Sequence, residues 1–292
     1  MNRLNAACDA AVGSPSSLTE DLIRQMWTRP RFALDDDAWI VEQGRGLVGF
    51  AQIWEEAPAR LSAFAIVHPE HTGRGIGTAL ATLIEERAGE RIVGAARLYS
   101  AALTQDAPAA TLLEARGYTW ARRFWHMEVE LGGIATSAPP PAGIRLRRLD
   151  PDRDLPSAHR ILEEAFADHW DWVPTSYEEF LEISFHGDDF DPGLWIVAVD
   201  RDEPVGVLWG SAHTDRGWVG ELGVLRSHRS RGIATALLLE SFAEFERRGL
   251  PRARLNVDSD NLSGAVALYE RVGMRVASSY DLWMLPIPAA TP

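Results

Sequence analysis

The sequence predicts an α+β protein made of two tandem copies of one domain, each a mixed, twisted sheet with helices on both faces. Three observations carry this expectation. A chain of 292 residues is too long for one small domain and suits two of about 150. Three blocks recur in the same order. Ala38-Trp39-Ile40-Val41 returns as Leu194-Trp195-Ile196-Val197, Thr72-Gly73-Arg74-Gly75-Ile76-Gly77 as Arg229-Ser230-Arg231-Gly232-Ile233-Ala234, and Leu113-Glu114-Ala115-Arg116-Gly117 as Tyr269-Glu270-Arg271-Val272-Gly273. The offset is 156 from Trp39 to Trp195 and from Leu113 to Tyr269, and 157 from Gly75 to Gly232. Finally, period-two runs alternate with 3.6-period stripes along both copies, as strands and helices require.

The first copy opens on a helical pattern near Met1 and lacks an opening strand. Trp39–Glu42 and Leu47–Trp54, joined by Gln43-Gly44-Arg45-Gly46, read as a hairpin. Gly132 to Ala142 is rich in Gly, Ser and Pro and reads as a linker. The expected boundaries are therefore a first domain over 1–132, a linker over 133–142 and a second domain over 143–292. That second domain starts with the alternating Ile144-Arg145-Leu146-Arg147-Arg148-Leu149, a half-exposed strand. Leu194–Val199 and Pro204–Gly210 flank a turn at Asp200-Arg201-Asp202-Glu203. A central strand ends at Leu222–Leu225. From Ile233 to Arg248 the apolar positions 233, 237, 238, 242 and 245 form a helical stripe, closed by Gly249-Leu250-Pro251. Arg254–Val257 follows as a strand and Gly264–Arg271 as a helix.

Composition narrows the function classes. The net charge is −13, from 42 acidic residues against 29 basic ones, and all 29 are arginine. Such a chain is a poor candidate for nucleic acid or an anionic membrane, which call for clustered positive charge. The single Cys8 excludes an intrachain disulfide framework and a thiolate zinc cluster, and no compact ligand spacing surrounds His169 or His186, so no metal is expected. No apolar run approaches membrane-spanning length and no signal peptide is visible, so a cytoplasmic protein is expected. An oligomer stays open.

The turn after Val224 carries the chemistry. A strand ends, arginines and small residues follow, and a helix begins at once, aiming free N–H groups and the positive end of a helix dipole at an anion. A Walker loop needs a lysine this chain does not have, and the dinucleotide fingerprint needs a third glycine where Thr78 stands. The pattern that fits is Arg/Gln-x-x-Gly-x-Gly/Ala, met by Arg229-Ser230-Arg231-Gly232-Ile233-Ala234. Asn261, then Leu268-Tyr269, then Gly273 supply a second linked motif. In these two motifs the chain resembles the GNAT acetyltransferases, twice over and across nearly its whole length.

That resemblance implies an acyl-CoA site where two parallel strands, Leu222–Leu225 and Arg254–Val257, splay apart. Pantetheine would bond to the backbone of Leu222, Val224 and Leu225. The pyrophosphate would rest on Arg231, Gly232, Ile233, Ala234 and Thr235, with Arg229, Ser230 and Arg231 completing the loop and Asn261 beside it. Acetyl-CoA is the implied acyl donor and a small-molecule amine the implied acceptor. By the same resemblance Tyr269 protonates the leaving thiolate, since a tyrosine keeps its proton at neutral pH. Glu221 is the only carboxylate on the central strand and the candidate base. Strict alternation would place family bases beside Leu222 and Val224 instead; a β-bulge would restore the aim of Glu221. Position 218, a glutamate in similar enzymes, is Trp218.

The copies are not equivalent. In the first, Val67, Gly73, Arg74, Gly75, Ile76, Gly77 and Thr78 retain a CoA-type turn, but Leu113 replaces the tyrosine and Gln105 the asparagine. Chemistry is therefore expected in the second copy. Its acceptor side is expected among Asp168, His169, Trp170, Asp171, Trp172 and Tyr177, where ten acidic residues lie between Glu163 and Asp191 with no arginine. An acidic, aromatic wall suits a cationic amine. Two other readings stand beside this one. The tandem layout and Phe190-Asp191-Pro192 resemble mycothiol synthases, which acetylate a cysteinyl amine, and a non-catalytic acyl-CoA sensor would carry the same loops.

Overall fold

Hairpins, each followed by a parallel strand that a helix crossover must reach, give both copies their framework. The computed structural model describes residues 1–13, 20–29, 31–92, 94–133, 139–184, 190–261 and 263–289. Its first unit contains α1 (Asn2–Val12), α2 (Glu20–Trp27), α3 (Leu34–Asp37), β1 (Ala38–Gln43), β2 (Gly46–Ala57), β3 (Arg60–Val67), α4 (Ile76–Arg91), β4 (Ala96–Leu103), α5 (Ala107–Ala115) and the start of β5 (Thr119–Glu130). The second contains β6 (Ile144–Arg148), α6 (Pro151–Phe166), α7 (Tyr177–Ser184), β7 (Ile196–Asp200), β8 (Glu203–His213), β9 (Arg216–Val224), α8 (Ile233–Arg247), β10 (Arg252–Asp258), α9 (Ala265–Arg271) and the start of β11 (Arg275–Ile287).

The strand order is β1-β2-β3-β4-β11-β5 in the first unit and β5-β10-β9-β8-β7-β6 in the second. Hairpins β1–β2, β2–β3, β7–β8 and β8–β9 are antiparallel, whereas β3–β4 and β9–β10 are parallel. Among the described residues β1 is an end strand with no counterpart of β6 beside it. In the second unit β6 is fastened twice. It pairs with β7 from Ile144↔Asp200 to Arg148↔Ile196, and Arg148 bonds Glu244 of α8 at 2.7 Å.

The units are not the two contiguous segments expected. The first comprises Met1–Trp125 with Ser278–Pro292, and the second His126–Ala277. Strand pairing supplies the reason. Tyr280 to Ile287 of β11 pair antiparallel with Leu103 to Ala96 of β4, so the last strand of the chain completes the first unit's sheet. Conversely, Glu128 of β5 takes Nε and Nη2 of Arg254, a β10 side chain only 1 % exposed, at 2.9 and 2.6 Å. Residues 134–138 of the expected linker lie outside the described residues.

Helices cover both faces of the second sheet, and glycines show which covers which. A Cβ on Gly217 would lie 2.3 Å from the Phe245 ring of α8, and one on Gly223 about 3.2 Å from Leu162 and Ala165 of α6. The apolar stripe of α8 buries Ile233, Leu237, Phe242 and Phe245, as its spacing requires. Helix α6 is started by Asp150, whose carboxylate accepts from the Asp152 N–H, with Pro151 at the first helical position. We expect Gly217→Ala to lower the unfolding free energy by about 1–3 kcal/mol through overpacking against Phe245; urea denaturation reads it, and an unchanged midpoint would refute the close approach.

Candidate active site

Parallel strands β9 and β10 pair only at Gly217↔Ala253 and Trp218↔Arg254. Both then run on, to Val224 and Asp258, without pairing each other. The splay expected between them is thus present. On its other edge β9 remains zipped to β8: Val207 opposes Gly223, Gly206 opposes Val224, and the Leu225 N–H donates to the Val205 carbonyl at 3.0 Å. Antiparallel ladders alternate, so Val224 turns its N–H and C=O away from β8 and into the splay. Its carbonyl takes Nε of Arg229 at 3.2 Å.

Two expectations need correcting. Leu225 cannot offer backbone groups to a pantetheine chain, because its N–H is held by Val205 and its C=O by the His228 N–H at 2.8 Å. Arg229 is not a loose phosphate ligand either. Besides Val224 it bonds the Ala165 carbonyl at 3.1 Å, latching the end of α6 to the end of β9. Arg231 pairs with Asp200 at 3.0 Å and holds that carboxyl below the usual carboxylate range. An exposed pair of this kind is screened by solvent and contributes little, so Arg231 is easily recruited by a stronger anion.

The turn itself has the shape its motif implies. Ser230 and Gly232 take φ of 60° and 82°, as Gly73 and Gly75 take 71° and 80° in the first unit. Gly232 caps α8 without a side chain, and the first helical bond is Ala236 N–H to Gly232 C=O at 3.1 Å. The N–H groups of Ile233, Ala234 and Thr235 thus have no acceptor within the helix. In the first unit Gly75 caps α4 in the same way over Ile76, Gly77 and Thr78. There the Val67 carbonyl, matching Val224, takes the Cys8 thiol at 3.4 Å. Burial, helped by Asp9 and Asp106, pushes that thiol up to about 11, which keeps its proton on.

Strand β9 carries one residue too many beside the splay. Trp209 opposes Glu221 while Gly210 opposes Val219, which leaves Gly220 unpaired in a β-bulge. The bulge turns Glu221 to the face it shares with Gly223, the face that α6 covers. A side chain at Gly220 would meet the Trp209 indole at 2.3 Å. Burial pushes the Glu221 carboxyl up to about 7; the Trp209 indole N–H bonded to it pulls the other way, and Glu163 adds to the rise. Glu163 is itself held by the Thr175 N–H and hydroxyl at 3.1 and 3.0 Å. Trp209 stacks on Trp195 at 5.8 Å, and Phe180 and Phe190 meet Trp195 edge-on.

Tyr269 lies on α9, after β10, where burial pushes its phenol up to about 12. Asn261 turns its side-chain oxygen to the Ser263 N–H at 2.8 Å, shaping the loop before α9. The expected acceptor residues fall into different roles. His169 sits near Asp258 and Arg229 at the mouth of the splay, and burial holds its imidazole below the ordinary range. Trp172 stacks on Phe166 at 5.4 Å, and its buried indole N–H has no partner among the described residues. Tyr177 packs against His159 and Phe180. Asp168 pairs with Arg226, which lies outside the 163–191 stretch, as Asp191 pairs with Arg248. Glu164 accepts the Arg226 N–H at 3.0 Å and Glu179 the Ser176 N–H at 2.9 Å. Much of the acidic run is thus tied down as caps and ion pairs. His186, Asp188 and Asp189 lie outside the described residues.

Trp209, Glu163 and Thr175 went unread in the sequence because their place depends on strand register and helix packing. The first unit lacks the same equipment. At the positions of Trp209 and Glu221 stand Gln52 and Phe64, paired with each other. The extra residue is displaced to Glu56, near the β2–β3 turn. Phe64 packs on Phe50 and Trp54 at 5.7 and 6.2 Å, and Gln52 accepts the Trp27 indole N–H at 3.1 Å.

A carboxyl titrating near 7 when folded and near 4.5 when unfolded has a definite effect on stability. Its contribution is complete below the unfolded value and is lost as pH rises through the folded one. Glu221→Gln should therefore gain stability relative to the parent as pH rises from about 5 to 8. Thermal melts across that range check this, and a pH-independent difference would refute the raised value.

A family model described as "Acetyltransferase (GNAT) family" matches residues 6–118 and again 155–274. The mycothiol acetyltransferase of Kineococcus radiotolerans is 32 % identical over 285 residues, covering 94 % of this chain and 89 % of that one. That of Streptomyces avermitilis is 31 % identical over 239 residues, covering 80 % and 75 %. Among solved structures, a GCN5-related N-acetyltransferase from Sphaerobacter thermophilus superposes with a TM-score of 0.84 at 30 % identity, over 98 % of this chain and 91 % of that one. A tandem GNAT protein from the clavulanic acid biosynthesis pathway shares the fold at a TM-score of 0.72 and 20 % identity, over 98 % and 93 %. No helix among the described residues is long and apolar enough to cross a membrane. With two matched segments, a splayed strand pair in each unit and a glycine-capped helix beside each splay, the chain is an N-acetyltransferase, a tandem member of the GNAT family.

Proposed function

We propose that the second unit transfers the acetyl group of acetyl-CoA to the primary amine of a small molecule. The observation that carries this reading is the Gly220 bulge, which turns a carboxyl titrating near 7 onto the α6 face beside the splay. Acetyl-CoA supplies an acetyl group activated as a thioester; the chain's own residues do the rest. The N–H groups of Ile233, Ala234 and Thr235, with Arg231, hold the pyrophosphate. The Val224 N–H bonds to the thioester carbonyl and favours negative charge on its oxygen. Glu221, half ionised near neutral pH, takes the proton of the incoming ammonium. Tyr269, still protonated at that pH, delivers a proton to the departing sulfur. Asp168, His169, Trp170, Asp171, Trp172 and Tyr177 bound the acceptor side, and the buried Trp172 N–H is a ready donor to an acceptor oxygen.

The cysteinyl amine of a mycothiol precursor is the acceptor we favour. Several relatives about 31 % identical bear the name mycothiol acetyltransferase, and the tying-down of the acidic run weakens the case for a strongly cationic amine. A sensor role fits less well, because a CoA-binding relay has no use for a bulge-aimed carboxyl. In the first unit Phe64 and Leu113 occupy the positions of base and acid, so we assign it no turnover.

Free-thiol release with a panel of amines that includes cysteinyl glucosamines tests the reading; no turnover on any of them would favour the sensor. Tyr269→Phe is expected to lower kcat by about 10²–10⁴-fold. Glu221→Gln should lower kcat and remove the rise of rate around pH 7, whereas Gly75→Val in the first unit should leave turnover largely intact. The opposite pattern would place the chemistry in the wrong half.

A further inference from the structure

We propose that the first unit carries a binding site for a small amphipathic anion, one acidic head group on an apolar body, separate from its CoA-type turn. The site is a cavity of about 740 Å³ bounded by the start of α1, by α2, by the β1–β2 turn and by the short turn after β3. Among the described side chains around it are Arg3, Arg24, Arg45, His68 and His71, with one carboxylate, Glu70. That balance runs against the chain as a whole, where acids outnumber arginines by 13.

Pairing sharpens the contrast. Most arginines here are spent on carboxylates, as Arg87 and Arg91 are on Asp37 and Arg116 on Glu85. Arg3 and Arg45 make neither an ion pair nor a hydrogen bond among the described residues. Two exposed guanidiniums facing one cavity attract an anion and offer it forked hydrogen bonds. The floor is of another kind. Leu4, Ile23 and Val48 are 2 %, 2 % and 5 % exposed, and such surface favours hydrocarbon. Together they select a molecule with a charged end and an apolar end.

A metal cation is the poorer match for the same corner. His68, Glu70 and His71 bring ligand atoms within 4.8 Å of one another. However, the Glu70 N–H occupies Nδ1 of His68 at 3.3 Å, Arg74 lies on Nδ1 of His71 at 3.4 Å, and three arginines repel a cation. Neither Val67 nor any residue from Gly73 to Thr78 lines the cavity, so its occupant need not compete with CoA.

Octanoate, titrated calorimetrically into the full chain with saturating CoA present, is the probe. One equivalent should bind, and 1-octanol, which keeps the chain and loses the charge, should bind at least about tenfold more weakly. The double variant Arg3→Glu/Arg45→Glu changes two exposed residues and should cost at least about tenfold in octanoate affinity. Arg275→Glu, an exposed arginine of the second unit, should leave it unchanged. The proposal is overturned by no octanoate binding at millimolar concentration, by equal binding of octanol, by undiminished binding to the double variant, or by an equal loss in Arg275→Glu.

Discussion

Everything at this site depends on the parting of two parallel strands. A sheet that stops pairing halfway along β9 and β10 leaves backbone amides facing a gap, and an unsatisfied buried N–H or C=O costs about 1–3 kcal/mol. The chain meets half of that demand itself, through Arg229 on the Val224 carbonyl and Cys8 on the Val67 carbonyl. The remaining N–H is the group an extended, amide-bearing guest would satisfy by joining the sheet edge. Close by, glycine-capped helices present first-turn N–H groups to an anion. A guest with amides along one part and phosphates at the other would thus be met largely by backbone, with Arg231 beside it, which leaves most side chains free for chemistry.

The same scaffold serves two fates through the position of one surplus residue. In the second unit it lies at Gly220, inside the strand that bounds the splay, and reverses the face of everything beyond it. In the first it lies at Glu56, beside a turn, and leaves β3 regular. Side-chain identity follows suit. The regular strand shows Phe64 to an aromatic cluster, while the bulged strand shows Glu221 to a tryptophan and a second carboxylate. A shift of register thus separates a packing surface from a proton-handling one.

Much of this was legible in the sequence. The repeat, both hairpins and the glycine-capped helices followed from spacing, and the splayed strands from the family resemblance; the bulge at Gly220, by contrast, sets Glu221 on the face of Gly223, still opposite Leu222 and Val224. What stayed hidden was whatever depends on partners distant in the chain. The arginines of the loop read as phosphate ligands because their motif says so; only register shows Arg229 consumed by two carbonyls. The acidic run read as a charged wall, yet its partners Arg226 and Arg248 lie outside it. The linker composition suggested contiguous domains, because nothing local in β11 says that it pairs with β4.

That last pairing has a consequence for how the chain reaches its native state. Tyr280 joins Leu103 across 177 positions, so the first sheet waits for nearly the whole chain to leave the ribosome before its final strand is available. Non-local closure of this kind is slow, and until it occurs the edge of β4 is an open template for other strands. Cutting the chain at the Pro-rich linker would yield two fragments that are each missing a strand, not two domains. The halves repeat one another in sequence, yet the first sheet is complete only with a strand from the second half of the chain.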